Sequence, residues 1–281
     1  MAQWPRTSAE VIPVPADQVF YVEGDGTGIP VRPEETQGRP GKQDDHPAKT
    51  REVKLGCVFT QTQEDEEGKP IRDPESTSYF ATLEPAVEFG ALLRAQAFER
   101  GLALAKLVVF LGDGAAWVWE LARVNFPMAV FILDFFHAAE HLECLAEALL
   151  GEKTDAAKTQ WEQWAKVLKE QPDGLEILLR EARQTLPRRG KRREAALKQI
   201  AYFQSNTHRM RYAEYQARGL FIGSGVIEAG CKTVIGLRLK QSGMFWGVPG
   251  AQNVLDIRCL LENRQFARFW EDYRKPLSNA A

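Results

Sequence analysis

Residues 104–136, LAKLVVFLGDGAAWVWELARVNFPMAVFILDFF, decide the fold class of this chain. LAKLVVFLGD and MAVFILDFF are short and almost wholly apolar, which is typical of strands that are buried on both faces of a parallel sheet. AAWVWELARVNFP, between them, has the periodicity of an amphipathic helix, and Pro127 ends it. The stretch therefore predicts a strand, a crossover helix and a second strand parallel to the first.

Three further strands are predicted upstream of this unit. Residues 19–22 are a β-rich run that leads into a Gly-rich turn, EGDGTG, and a second short β segment. Residues 53–59 alternate apolar with polar or small side chains, and SYFATLE at 78–84 follows as the third strand. A helical segment then precedes residue 104. We therefore predict an α/β protein with an RNase H-like mixed sheet, three antiparallel strands followed by two parallel ones, and flanking helices.

The order of these segments predicts four parts. Residues 1–16, which contain three prolines, form a lead-in, and residues 17–144 form the first part of the RNase H-like core. Residues 145–219 are predicted to be an all-helical insertion, interrupted by the basic stretch LPRRGKRRE. Residues 220–275 return to the core with a Gly-rich turn, a helix and a closing amphipathic helix.

The composition is that of an ordinary globular protein, with 281 residues, 44% hydrophobic and 26% charged residues and a net charge of −2. Proteins that handle DNA are often strongly basic, so this balance argues weakly against one, although the basic residues are clustered. The four cysteines form no CxxC pair, which indicates neither a zinc knuckle nor a disulfide framework. We see no signal peptide and no apolar stretch near the ~20 residues of a membrane helix. We expect a cytoplasmic protein with no membrane partner.

Three carboxylates are the strongest candidates for chemistry. Asp25 in EGDGTG and Asp113 in FLGDG each lie where a buried strand meets a glycine, and Glu228 in GSGVIEAGCK lies on a helix. Acids on neighbouring strand ends can share divalent ions, and carboxylates prefer hard cations such as Mg²⁺ or Mn²⁺. An Asp-Gly pair is often a plain turn, and a lone helical Glu is usually solvated. The three acids together, in this order, favour two-metal phosphodiester chemistry.

A family resemblance runs from GDGTGIPV through FLGDGAAWVW, FILDFFHAAEHL and GSGVIEAGCKTVIGLRLKQSGMFW. The chain resembles bacterial insertion-sequence transposases of the ISKra4 type and, more distantly, is similar to the Mutator-like superfamily. The resemblance covers residues 17 to 270. It implies a D–D–E triad of catalytic, metal-binding residues at Asp25, Asp113 and Glu228, with a helical insertion before the Glu. It also places a D-x-x-H motif at Asp134 and His137, beside the metal ligands or in contact with DNA.

The function implied by this resemblance is that of a DDE transposase catalytic domain. Such an enzyme uses Mg²⁺ or Mn²⁺ to hydrolyse phosphodiester bonds and transfer strands at transposon ends. Its partners would be transposon-end DNA and target DNA, and it would assemble as a homo-oligomer on DNA, associated with the bacterial nucleoid. Members of this family carry an N-terminal region that recognises terminal repeats. Because this sequence starts almost at the first strand, we expect a truncated chain.

Two basic groups are candidates for binding DNA phosphates. Arg238 and Lys240 follow the helix of Glu228, and the other group is the run Arg188, Arg189, Lys191, Arg192 and Arg193. The run is equally compatible with an ordinary solvated loop. Trp246 could stack on an unpaired base, although core packing is the favoured interpretation.

The same residues allow other functions. HAAEH, from His137 to His141, matches the inverted zinc-peptidase motif, with both histidines on one helix face. A zinc peptidase needs a third protein ligand, no downstream acid stands out as one, and this interpretation leaves the strand-end aspartates unexplained. His141 is also compatible with a plain hydrogen-bonding role in the core. A catalytically inactive DNA-binding remnant of a transposase and a simple RNase H-type nuclease are further alternatives.

Overall fold

The computed structural model describes residues 18–39, 41 and 48–274, so the lead-in predicted for residues 1–16 lies outside the described residues. A five-stranded mixed sheet forms the centre of the molecule, in the order β3-β2-β1-β4-β5. The strands are β1 (Val19–Pro30), β2 (Thr50–Gln61), β3 (Ser78–Thr82), β4 (Leu107–Gly112) and β5 (Val130–Leu133). β1, β2 and β3 pair antiparallel, whereas β4 runs parallel to both β1 and β5. The predicted α/β class and RNase H-like mixed sheet are confirmed.

The Gly-rich stretch after residue 22 differs from the prediction. The turn expected there is absent, since β1 pairs with β2 without interruption through Gly24, Gly26 and Gly28 as far as Pro30. The glycines allow the strands to lie close together. A Cβ at Gly26 would come within 2.7 Å of the Glu52 carboxylate, and one at Gly28 within 3.2 Å of the Thr50 hydroxyl.

Three helices lie between or directly after the strands β3 to β5 in the chain, and they are α1 (Ala86–Glu99), α2 (Ala116–Asn125) and α3 (Phe135–Leu150). α1 lies against the sheet through the buried side chains Phe89 and Leu93. A Cβ at Gly56 of β2 would meet Leu93 at 2.6 Å, so this glycine sets how closely the helix approaches. Shorter elements connect these parts: 3-10 turns at Pro33–Thr36 and Leu102–Leu104, and a small hairpin of Gln63–Glu64 with Pro70–Ile71.

Helices fill the chain between α3 and residue 218. They are α4 (Asp155–Glu170), α5 (Gly174–Gln184), α6 (Lys191–Asn206), a 3-10 turn (Thr207–Arg209) and α7 (Tyr212–Ala217). The core extends into this region through buried Trp164, Leu168 and Leu178. Two details differ from the sequence prediction. The last helix is divided by the 3-10 turn, and the basic residues from Lys191 onward form the first turn of α6 instead of a loop. The division into core and insertion stays a prediction.

The C-terminal part contains α8 (Gly225–Gly230), which continues through a π-helix (Cys231–Gly236) into α9 (Leu237–Leu239). α10 (Val248–Glu262) and α11 (Phe266–Arg274) follow. We predicted one closing helix, but Arg264 adopts a φ of 58° between the two, which a continuous right-handed helix excludes. Among the described residues, no helix is long and apolar enough to cross a membrane.

Candidate active site

The candidate site lies where β1 and β4 separate. The two parallel strands pair as far as Glu23 and Leu111, Asp25 lies two residues farther along β1, and Asp113 directly follows β4. A cleft of about 220 Å³ opens at this edge of the sheet and is lined by Asp25, Asp113 and Glu228. The structure therefore brings together the three acids that the sequence singles out, although they lie far apart along the chain.

Asp25 is half-buried and lies among other negative charges. Its Oδ1 accepts a hydrogen bond from the Gly26 amide at 2.6 Å, and its Oδ2 accepts one from the Cys231 thiol at 3.3 Å. Burial raises the pKa of Asp25, as do the negative charges of Asp113 and Glu52, while the two hydrogen bonds lower it. The net shift is upward, which shows that the ionised carboxylate is under-compensated.

Asp113 and Glu228 complete the acidic lining of the cleft. Asp113 Oδ1 accepts a hydrogen bond from the Ala115 amide at 3.0 Å, which fixes its turn ahead of α2. Glu228 is exposed in the first turn of α8. In the part of the chain that the structure describes, neither these two acids nor Asp25 forms an ion pair with Lys, Arg or His. An unpaired group of carboxylates favours a bound cation.

The donor atoms of this cleft fit a hard divalent cation. All three acids offer carboxylate oxygens, which suit Mg²⁺ or Mn²⁺, and Mg²⁺ needs few protein ligands because it keeps several waters. As the side chains stand, no three His, Cys, Asp or Glu residues within the described ranges are grouped closely enough to hold one ion together. The metal-binding assignment therefore stays a prediction that is compatible with the donor chemistry.

Glu23 is a site residue that the sequence reasoning missed. It is fully buried beneath the cleft, and burial, more than the nearby charges of Asp134 and Glu228, raises its pKa to about 8. Its Oε2 accepts hydrogen bonds from the Ile227 amide at 2.8 Å and from the Cys57 thiol at 3.5 Å. Glu23 thereby joins β1 to the helix that carries Glu228. Its spacing of two residues from Asp25, which puts both acids on one face of a strand, could have revealed it.

Asp134 holds two parts of the site together. It caps α3, where its Oδ1 accepts hydrogen bonds from the amides of Phe136 and His137 at 2.5 and 3.0 Å. Its Oδ2 accepts a bond from the Ser224 amide at 2.6 Å and another from the Ser224 hydroxyl. Asp134 is only 1% exposed, so of the two roles predicted for it this geometry favours support of the cleft over contact with DNA.

His137 lines the cleft, and His141 lies behind it. The His137 Nδ1 is 3.5 Å from the Glu140 carboxylate, and its side chain is about one-third exposed. His141 stacks on the Tyr202 ring with centroids 3.6 Å apart, and its Nδ1 lies 2.6 Å from Gln199 Oε1. Burial lowers the pKa of His141. This is the packing of a hydrogen-bonded core histidine, and the described residues offer the pair no third metal ligand.

The basic run divides into two groups with different contacts. Arg192 donates from Nε to the Ala148 carbonyl and from Nη2 to the Leu149 carbonyl, so it caps the C-terminus of α3. Arg193 donates to the Pro187 carbonyl at 2.9 Å. The remaining residues of the run are exposed at the start of α6, and they are Arg188, Arg189 and Lys191. The exposed group is therefore the better placed to meet phosphates.

The second basic pair, Arg238 and Lys240, lies at the C-terminal end of the helical segment that carries Glu228. Lys240 donates from Nζ to the Thr27 hydroxyl, two residues beyond Asp25 on β1. The Arg238 guanidinium lies 5.2 Å from the centroid of the Trp246 ring. Lys240 therefore brings positive charge close to Asp25, whereas Arg238 lies against Trp246 and Met244.

Comparison with known proteins gives a distant structural likeness. No protein-family model and no curated protein matches this chain. A solved structure described as the Drosophila P element transposase strand transfer complex aligns with 89% of this chain and 78% of that chain. The sequence identity is 9% and the TM-score is 0.40.

Proposed function

We propose that this chain is the catalytic domain of a DDE transposase of the ISKra4 type, in the Mutator-like superfamily. It hydrolyses a phosphodiester bond at a transposon end and transfers the freed 3′ end to target DNA. The observation that carries this proposal is the cleft itself, which Asp25, Asp113 and Glu228 line at the edge of an RNase H-like sheet. Asp25 and Asp113 are partly buried without ion-pair partners in the described chain, and a cation would offset the cost of their burial.

The residues of the cleft have distinct parts in this chemistry. Mg²⁺ or Mn²⁺, when bound, supplies activation of the attacking oxygen and stabilisation of the leaving oxygen. Asp25 and Asp113 offer carboxylates whose orientation is fixed by hydrogen bonds from Gly26, Cys231 and Ala115. Glu228 offers a third carboxylate from α8, and the hydrogen bond between Glu23 and Ile227 holds this helix against β1.

DNA is the partner that this arrangement fits. Exposed Arg188, Arg189 and Lys191 can contact phosphates away from the cleft, while Arg238 and Lys240 can contact them beside it. We further propose that the chain acts as a homo-oligomer on transposon ends, in the bacterial cytoplasm.

Replacement of Asp113 by Asn tests this function on a duplex with a pre-cleaved 3′ end and a target duplex. Wild-type protein should join the two in Mg²⁺ or Mn²⁺ but not in EDTA. Asp113→Asn keeps the side-chain shape and removes one charge, so folding should survive while Mn²⁺ affinity and strand transfer fall by orders of magnitude. Mn²⁺ binding is measured by the loss of the free-ion electron paramagnetic resonance signal.

His141→Ala is the matched control, because His141 lies outside the three-acid set and should affect strand transfer far less. Activity that survives Asp113→Asn but is lost with His141→Ala would reject the DDE assignment in favour of a zinc site. DNA binding with no strand transfer in any divalent metal ion would identify an inactive remnant.

A further inference from the structure

Tyr202 of α6 reaches the turn that carries Asp113. A Cβ at Gly114, the residue after Asp113, would come within 2.5 Å of the Tyr202 hydroxyl oxygen. Gly114 has a φ of 94°, which favours glycine, and a Cβ there would also approach Leu133 at 3.1 Å. Tyr202 therefore packs against the Asp113 turn at a position where any larger residue would collide with it.

A second contact holds the Tyr202 ring in this position. The ring stacks on His141 with centroids 3.6 Å apart and an angle of 18° between the planes. His141 is itself fixed from α6, because its Nδ1 lies 2.6 Å from Gln199 Oε1. The stack joins α6 to α3 and keeps the Tyr202 hydroxyl beside the Asp113 turn.

The Tyr202 hydroxyl and the Asp113 carboxylate each lack a hydrogen-bond partner. The hydroxyl oxygen is buried and forms no hydrogen bond with the described residues. Asp113 accepts a bond from the Ala115 amide at Oδ1, whereas its Oδ2 accepts none within the described ranges. Burial raises the pKa of Tyr202, and the largest effect of any charge on it is that of Asp113. Since a hydroxyl hydrogen rotates toward an acceptor, Asp113 is the acceptor best matched to it.

A buried hydroxyl without a partner destabilises the fold, because its hydrogen bonds to water are not replaced. Phenylalanine in place of Tyr202 would keep the stack on His141 without this cost. An unsatisfied polar group beside a set of acids therefore indicates a function. The residues that line the cleft do not include Tyr202, so this function operates through Asp113.

We propose that Tyr202 is a positioning residue for Asp113: it holds the turn through Gly114, and its hydroxyl fixes the second carboxylate oxygen of Asp113 in the arrangement that binds a divalent cation. This proposal rests on the proposed function, which gives Asp113 a cation to bind. A neutral donor orients a carboxylate without cancelling its charge. The predicted helical insertion thereby takes part in preparing the cleft, because α6 belongs to it.

The test measures Mn²⁺ binding to the full chain in the absence of DNA, by loss of the free-ion electron paramagnetic resonance signal. Tyr202→Phe should raise the dissociation constant for Mn²⁺ about 10- to 100-fold, the range for loss of a hydrogen bond to a metal-binding group. In EDTA the variant should be as stable as wild-type protein or more stable in urea unfolding, because it buries no unpaired hydroxyl. A purely structural role predicts the reverse, with lower stability and unchanged affinity for Mn²⁺.

Tyr212→Phe is the matched control. Tyr212 lies in α7, is fully buried, and its hydroxyl also forms no hydrogen bond in the part of the chain that the structure describes. Burial raises its pKa, and the largest effect of a charge comes from Asp134 and not from Asp113. Tyr212→Phe should bind Mn²⁺ as tightly as wild-type protein and should be no less stable in EDTA.

Asp113→Ala tests whether Tyr202 acts through Asp113. Without the acceptor carboxylate, Tyr202→Phe should cause no further loss of Mn²⁺ affinity. Three results would overturn the proposal: unchanged affinity in Tyr202→Phe, an equal loss in Tyr212→Phe, or a further loss of about tenfold or more when Tyr202→Phe is added to Asp113→Ala.

These results are separable from failure of the proposed function. Mn²⁺ binding that requires Asp113 but not Tyr202 removes the positioning role alone. Mn²⁺ binding that is unchanged in Asp113→Ala removes the metal-binding assignment of the acids, and with it the basis of the proposed chemistry.

Discussion

Asp73 and Asp25 lie at opposite ends of the sheet, and their surroundings shift the pKa values of the two carboxylates in opposite directions. Asp73 accepts hydrogen bonds from Gln18, from the Thr60 hydroxyl and from both the amide and the hydroxyl of Thr62, at 2.6 to 3.1 Å. Burial alone would raise its pKa, but these bonds from Thr62, Thr60 and Gln18 together lower it. Neutral hydrogen-bond donors therefore stabilise the ionised form of Asp73.

Asp25 has fewer donors and is surrounded by like charges. It accepts only two hydrogen bonds from the described residues, and burial together with the charge of Asp113 leaves its pKa raised. The cavity beside Asp73, about 380 Å³, is larger than the cleft of about 220 Å³ beside Asp25. The size of the cavity therefore does not indicate which end of the sheet carries the chemistry. The balance of hydrogen-bond donors and negative charges does distinguish a carboxylate that stabilises the fold from one suited to binding a cation.

The largest expected effect comes from Asp25→Asn. If Asp25 binds a metal ion, strand transfer should fall by about 10²- to 10⁴-fold, since the lost stabilisation amounts to several kcal/mol. In EDTA the variant should be as stable as wild-type protein or more stable, because repulsion from Asp113 is relieved. Strand-transfer rates and thermal unfolding in EDTA provide the measurements. A less stable variant with unchanged activity would mean that Asp25 stabilises the fold, as Asp73 does, and does not bind the metal ion.

Asp73→Asn should show the reverse pattern. The amide group retains one acceptor oxygen but presents N–H donors to groups that already donate, so the hydrogen bonds to one of the two carboxylate oxygens are lost. Stability should fall by about 1–3 kcal/mol, measured by urea unfolding. Strand transfer at temperatures below unfolding should stay unchanged. Loss of activity with unaltered stability would show that the chemistry takes place at this end of the sheet instead.

A third effect concerns Glu23 and tests the comparison through the pH dependence of stability. Its pKa rises from 4.5 to about 8 on folding, so between these values the folded state binds more protons than the unfolded state. Glu23 therefore reduces stability progressively as pH rises through this window, and the effect levels off above about pH 8. Asp73, with its lowered pKa, adds stability that is present above about pH 3.9 and is lost as pH falls further.

Glu23→Gln cannot ionise, so its advantage in stability over wild-type protein should grow from pH 5 to pH 9 in EDTA. Urea unfolding at several pH values measures this difference, and subtraction cancels the other titrating groups. A difference that stays constant across the range would mean that Glu23 is not protonated when buried.

The sequence predicts the sheet well because its strands are buried. Continuous apolar runs such as residues 107–111 have few other interpretations, and the glycine after each run marks where Asp113 and Asp25 emerge. The prediction was wrong about the glycines of β1, because their strand pairing depends on close contact with Glu52 and Thr50 of another strand. Long-range contacts of this kind are invisible in local patterns.

Individual side-chain roles were harder to predict for the same reason. Asp73, in the stretch IRDPEST, has the composition of an exposed turn, and only its distant partner Gln18 and the neighbouring β2 threonines give it a structural role. Arg192 belongs to a run that indicates phosphate binding, yet its partners are carbonyls at the end of α3. The metal ion, the DNA contacts and the chemistry of the three acids stay predictions.

The hydrogen bond between Glu23 and Ile227 joins residues 204 positions apart, and this separation has a consequence during protein synthesis. A ribosome that adds about 5 to 20 residues per second needs on the order of 10 to 40 s to proceed from Asp25 to Glu228. Throughout that time the nascent chain contains at most two of the three acids, and Glu23 lacks its backbone partner. The acidic cleft is complete only after Glu228 has been translated, so fragments released earlier from the ribosome lack the third carboxylate.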